Sequence, residues 1–224
     1  MKRIIAAVLC IITVLTLTAC GGSSDGTKPA DNYNEVISKL SDIVDAMFTK
    51  DFEQKVAEGA YPAPTGEHTQ GWTDMLLDAT KDFKNVDKNA FGYKLIDINS
   101  DGIPELFFMR SDDKILAIFT TSNGAPVLVD AFDRVYQCVI RDTGEVYTLN
   151  FREEDGGYDY RIHTLNPSSG GYYTTVSFGL EGSISYEMID GATYTTSSDR
   201  IAELTETYEF KMAEAITNMS LSLF

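Results

Sequence analysis

The sequence predicts an α+β domain: two N-terminal helices, a curled antiparallel β meander and a C-terminal helix. Three observations carry this. Apolar residues recur at helical spacing near both ends of the chain. Between those ends, from Phe91 to about Tyr194, runs a series of short strand-like segments. Turn residues, not helical stretches, separate them, which favours antiparallel hairpins over parallel crossovers. Helices flanking a run of strands are expected to cover one face of the resulting sheet.

The chain opens with an export signal. Lys2 and Arg3 precede an uncharged apolar stretch from Ile4 to Thr18. That is short of the roughly 20 apolar residues a membrane-spanning helix needs and has signal-peptide proportions. It ends in Leu17-Thr18-Ala19-Cys20, which resembles the lipobox of bacterial lipoproteins. The resemblance implies that residues 1–19 are removed, that Cys20 is the lipid attachment point, and that the protein is held at the extracellular face of the cell membrane. An ordinary signal peptide with an incidental cysteine is the alternative. Residues 20–31, rich in Gly and Ser and without apolar period, bury too little to offset ordering and read as a flexible tether. Residues 32–224 then form a single globular domain.

Within that domain the first helix is expected from Asn32 to Phe52, with Val36, Ile37, Leu40, Ile43, Val44, Met47 and Phe48 at helical spacing and Asp31 or Asn32 as its cap. GAYPAPTGEHTQG, residues 59–71, is a loop by its glycines and prolines. A second helix places Trp72, Met75, Leu76, Ala79 and Phe83 on one face. Nine strand-like runs follow: FGYKLIDI, ELFFMR, KILAIFTT, APVLVDAF, VYQCVIR, EVYTLNF, YDYRIHTL, YYTTVSFGL and SISYEMI. Helical period returns from Ser198, through Ile201, Leu204, Tyr208, Met212, Ala215 and Ile216. No unit repeats at a fixed period, so the sequence gives no support to a propeller or solenoid.

Composition narrows the function. The formal charge of −16 becomes −18 once Lys2 and Arg3 leave with the signal. Such acidity argues against nucleic acid and anionic headgroups as partners and favours divalent cations. Cys138 is the sole cysteine left beyond Cys10 and Cys20, so the domain has no internal disulfide. In RVYQCVIR it reads as a small buried hydrophobe. A thiol nucleophile would need His68 or His163 as its partner.

The sharpest chemical signal is LIDINSDGIPELFF, residues 95–108. Numbered from Asp97, carboxylate or amide oxygens fall at positions one, three, five and nine: Asp97, Asn99, Asp101 and Glu105. Gly102 occupies the tight turn at position six, and Ile103 can offer its carbonyl at position seven. Alternating hard oxygen donors wrapped round one point is calcium-loop logic. A solvated turn without an ion uses the same residue types, but the register of four donors with the Gly favours the ion. An EF-hand is excluded: position twelve is Phe108, and both flanks are strand-like. The stretch resembles the nine-residue calcium loop of FG-GAP and VCBS-type modules, and its single copy departs from the propeller families, which repeat that loop. That resemblance implies Asp97, Asn99, Asp101, Ile103 and Glu105 as ligands of a structural calcium ion. The lipobox, tether, helices and a run of the form Y-x-L-x-D-I-N-x-D-G-I-P-E-L together resemble surface lipoproteins of Firmicutes.

Other candidates are weaker. Glu153, Glu154 and Asp155 lack alternate spacing, and Asp112 and Asp113 read as a plain turn. Tyr158, Tyr160, Tyr172 and Tyr173 bracket a glycine-rich turn and offer stacking faces for a ligand. No H-E-x-x-H, G-x-S-x-G or phosphate loop appears. The expectation is therefore a membrane-anchored binding module for a polysaccharide, a peptide or an envelope protein, with catalysis less favoured. An extracytoplasmic hydrolase with acidic residues and an inhibitor or immunity-type partner are the alternatives.

Overall fold

A computed structural model describes residues 29–224, apart from 67, 82–85, 142, 153, 167–169, 190 and 214–220. The export signal, Cys20 and most of the tether lie outside the described residues, as do Phe83, Glu153, Ala215 and Ile216. The α+β architecture is the expected one, with helices at both ends of an antiparallel meander.

The end of the expected tether, from Pro29, enters a 3-10 turn, Pro29–Tyr33, that leads into α1, Asn34–Met47. The boundary falls at Tyr33, a fully buried residue, and not at Asp31 or Asn32. α1 buries Leu40, Ile43, Val44 and Met47, the i, i+3, i+4, i+7 face of its sequence. The helix expected to reach Phe52 breaks after Met47, and a short α2, Phe52–Ala57, buries Phe52 and Val56 instead. α3, Gly71–Asp78, buries Trp72, Met75 and Leu76. The Trp72 indole donates to Tyr61 O at 3.1 Å, so its one polar atom is satisfied inside.

All nine expected runs are strands. β1 (Phe91–Ile96), β2 (Glu105–Arg110), β3 (Ile115–Ser122) and β4 (Ala125–Ala131) form one antiparallel sheet. β5 (Tyr136–Ile140), β6 (Glu145–Phe151), β7 (Tyr158–Asn166), β8 (Gly171–Glu181), β9 (Ile184–Ile189) and a further edge strand, β10 (Ala192–Thr195), form a second. The meander is thus divided over two sheets. After α4, Ser198–Ala213, a short β11, Ser222–Leu223, returns to pair with β1 and closes that edge of the first sheet.

Side-chain alternation shows how the layers stack. Leu106 and Phe108 of β2 point to the helices and share a core with Leu40, Val44, Trp72 and Leu76. Phe107 and Met109 point the other way, into a core with Ile118, Val129, Ile140, Val146 and Leu165. β2 is therefore buried along its whole length. The outer face of the second sheet packs Tyr160 and Phe178 against Ile201 of α4, with Leu204 and Tyr208 alongside. The order is helices, first sheet, second sheet, helix, with three cores between them. Among the described residues no helix is long and apolar enough to cross a membrane.

Candidate functional site

Two places gather chemistry. The first is the acidic loop between β1 and β2. Its oxygens are turned inward on the loop's own amides: Asp97 accepts from the N–H of Asp101 (3.2 Å) and of Gly102 (2.9 Å), and Asp101 accepts from Ile103 N at 2.8 Å. Ser100 and Gly102 adopt positive φ, 58° and 86°, and so bend the chain round that centre. For Ile103 it is the N–H that is engaged. Glu105 differs from the rest: it is fully buried, accepting from Ile98 N at 3.0 Å and from the Thr120 hydroxyl at 3.1 Å. Burial pushes its carboxyl up to about 7, against the opposing pull of those donors.

The Asn99 amide nitrogen donates to Asp101 at 3.1 Å and to Glu105 at 3.3 Å. A positive end therefore already sits between two of the carboxylates, where calcium chemistry asks for one. Rotation of that amide would replace the nitrogen by an oxygen. As the side chains stand, no three acidic, His or Cys side chains among the described residues are gathered closely enough to enclose an ion. The donor set fits calcium, but closure on an ion requires the Asn99 amide to turn.

The neighbouring candidates are engaged as structural groups. Asp112 holds Arg110 through two contacts of 2.9 and 2.7 Å, and Arg110 in turn donates to Ala79 O. Asp155 accepts from the amides of Gly157 and Gly182 and from Arg152, which together hold its carboxyl down at about 2. Cys138 is free and buried, with its thiol raised well above the ordinary range by burial. That is an inert core residue, not a nucleophile.

The second place is a cleft of about 280 Å³ at the polar end of the interface between the sheets. Strand register builds its floor: Tyr136 of β5 faces Asn150 of β6, which faces Asp159 of β7, and Thr148 faces Arg161. On the other side are Asp130 of β4 and the segment leading into α3. That segment is fixed by backbone contact. Leu128 N donates to Thr65 O at 2.7 Å, and Gly66 bridges Leu128. A Cβ at Gly66 or Gly71 would be driven into the β4 backbone. The close approach brings His68 onto Tyr172, the rings stacked at 5.0 Å and 18°.

Electrostatically the cleft is mixed. Asp159, nearly buried, pairs with Arg161 at 2.5 Å and accepts from Tyr186 at 2.5 Å. Asp130 accepts from Ala131 N at 2.8 Å and from the Tyr172 hydroxyl. Burial raises its carboxyl to about 7, opposed by Ala131 N and by the Arg161 charge. His163 lies between Thr148 (2.9 Å) and Thr174 (3.1 Å), one on each ring nitrogen. Burial, with help from Arg161, lowers it to about 3. It is a neutral structural imidazole, in keeping with its position on a strand.

Comparison of the chain with family models, with curated proteins and with solved structures yields no match. The site is therefore read from its own geometry.

The four tyrosines do not make one surface. Tyr172 lines the cleft, and Tyr173, its neighbour on the strand, is exposed. Tyr158 and Tyr160 lie at the far end of β7, paired with Leu180 and Phe178. Seven residues of strand, roughly 23 Å, separate Tyr158 from Leu165, which pairs with Tyr172. Tyr160 stacks on Phe178 at 5.0 Å beneath α4 and donates to Glu209. Only one of the four thus lines the cleft. Asp130, Asn150, Asp159 and Arg161 do not stand out in the sequence. Their one signal there is an Asp inside each of two otherwise strand-forming runs, APVLVDAF and YDYRIHTL, where Asp is disfavoured.

Proposed function

We propose that this chain is a membrane-tethered extracytoplasmic binding module whose ligand enters the cleft between its two sheets. The carrying observation is the cleft itself, a concave site with convergent polar groups and aromatic walls. The lipobox-like Cys20 and the Gly/Ser-rich segment after it support attachment by lipid at the outer face of the membrane. Two chains of lipid would make that attachment stable. Asp97, Asn99, Asp101, Glu105 and the Ile103 carbonyl would hold a calcium ion, which supplies charge neutralisation for the loop and takes no part in ligand chemistry.

Thermal unfolding with a panel of free amino acids, short peptides and oligosaccharides tests the binding role. A cleft ligand raises the melting temperature of the parent chain and loses that effect in Asn150→Ala. A panel without any shift, or shifts indifferent to that variant, would refute it.

One observation favours a second reading, hydrolysis. Asp130, raised to about 7, shares the cleft with the ion-paired Asp159. Acid–base hydrolysis can use a carboxyl whose surroundings favour its neutral form in this way. Turnover of a cleft ligand, abolished in Asp130→Asn with binding retained, would establish it; binding without turnover leaves the module non-catalytic.

A further inference from the structure

Most polar atoms lining the cleft are already engaged. Asp130 has Ala131 N and Tyr172. Asp159 has Arg161, Tyr186 and, at 3.3 Å, Ser177. His163 has a threonine on each nitrogen. Besides His68, Gln70 and the Tyr136 hydroxyl, two groups on the neighbouring strands β6 and β7 are left over for a ligand. One is the half-buried side-chain amide of Asn150, whose oxygen is itself buried and has no hydrogen-bond partner. The other is the Arg161 guanidinium: its side chain is 52 % exposed, and its ion pair with Asp159 uses one terminal nitrogen, whereas the group carries five N–H donors.

Charge sorts the possible ligands. A carboxylate or phosphate reaching Arg161 also meets Asp159 and Asp130. An amine reaching either aspartate meets Arg161. A hydroxyl carries neither penalty, and it can donate to Asn150 while accepting from Arg161. Tyr136, half-buried, lies beside Asn150 in the strand register and offers a flat apolar face. The volume of about 280 Å³ lies at the small end of ligand clefts, roughly 300–1,000 Å³, and suits one ring-sized unit.

We infer that the cleft takes one pyranose-sized unit of an uncharged saccharide, its hydroxyls bridging the Asn150 side-chain amide and the Arg161 guanidinium and its ring face set against Tyr136. This rests on the binding role proposed above. The unit can be a free sugar or part of a longer chain.

The test is calorimetric titration of the purified chain, with ligand-observed NMR, against three matched oligosaccharide series: uncharged, uronate-bearing and free-amine-bearing. Short peptides form a fourth arm, and monosaccharides distinguish free sugar from chain. The uncharged series is expected to bind at least about tenfold more tightly than either charged series. Asn150→Ala is expected to weaken it by about three- to tenfold, the loss of one hydrogen bond. Arg161→Gln is expected to weaken it further. If that variant fails to fold because Asp159 is left buried and unpaired, Asn150→Ala decides alone, its fold checked by melting. Preference for a charged series overturns the inference, as does saccharide binding indifferent to Asn150→Ala. Peptide binding that Asn150→Ala weakens overturns the saccharide class and keeps the binding role. Silence in all four arms overturns both.

Discussion

Asp130 combines two demands that ordinarily exclude each other: a carboxyl placed where a ligand can reach it, and a site dry enough to favour its neutral form. Burial raises it from 3.8 to about 7, and the Arg161 charge only partly offsets this. The unfolded chain releases that proton near 3.8, so between about pH 4 and 7 the folded protein holds more protons than the unfolded one. Stability from this residue is complete below about pH 4 and is lost as the pH rises through 7. A carboxyl raised this far is linked to at most about 4 kcal/mol of stability, and water in the cleft lowers that to about 2 kcal/mol. Asp130→Asn keeps the shape and the acceptor for Ala131 N but does not titrate. Denaturant unfolding at about pH 4.5 and about pH 8 should therefore show the parent losing about 2 kcal/mol more than the variant over that interval. Glu105 shifts in the same direction, and the difference between the two proteins removes its contribution. Parallel pH profiles would show that Asp130 is solvated after all.

At the scale of the element, the acidic hairpin is joined to the second sheet by one glycine. Gly144, in the β5–β6 turn, has φ 81°, and a Cβ there would be driven into Ile98 O. Ile98 belongs to the core between the sheets and donates its N–H to Glu105. Gly124, in the β3–β4 turn, has φ 77° with open space around it. Gly124→Ala therefore isolates the backbone cost, about 1 kcal/mol, and Gly144→Ala should cost about 2 kcal/mol beyond it by forcing the turn off the loop. Equal losses in chemical denaturation would mean the turn moves freely. Through the same contact, a calcium ion held in the loop as proposed would fasten the two sheets together. Millimolar calcium should raise the melting temperature by several degrees over sodium chloride of equal ionic strength, and Asp101→Ala should remove the rise. No shift in the parent would dispose of the ion.

Local pattern made these elements legible where the physics is local. Helical spacing located α1, α3 and α4, and turn residues separated the strands. The register of oxygens alone marked the acidic loop. The division into two sheets left no such mark. The chain crosses between them at 132–135, without Gly, Pro or Asn. Phe132 is buried between the sheets, and Asp133 accepts from Val135 N at 2.9 Å to make the turn. A signal did exist in ELFFMR and ILAIF, whose unbroken apolar runs mean burial on both faces. The cleft was harder, because its groups come from β4 to β8 and from the segment before α3. The tyrosines misled because adjacency to a turn is not adjacency in a sheet: across β7 and β8, Tyr158 meets Leu180 and not Tyr172.

For the whole molecule, the proposed tethering raises the question of how a protein of formal charge −16, or −18 without Lys2 and Arg3, would be held at an anionic membrane surface. A net charge of that sign gives no overall attraction to anionic headgroups, and screening over roughly 8–10 Å leaves the repulsion local. Its strong ion pairs are spent internally, as with Arg110 on Asp112 and Arg161 on Asp159. On the proposed function attachment would come from outside the domain, from Cys20 at the end of the apolar leader. On that proposal the expected tether, whose end from Pro29 already belongs to the 3-10 turn, would hold the acidic domain off the headgroups with the cleft accessible. Cys20→Ala should move the chain from the membrane fraction to the soluble one without altering the melting temperature of the domain. High salt should not release the parent, since acyl chains, unlike charges, are not screened. Release of the parent by salt, or retention of Cys20→Ala in the membrane fraction, would mean that the domain holds the membrane by its own surface.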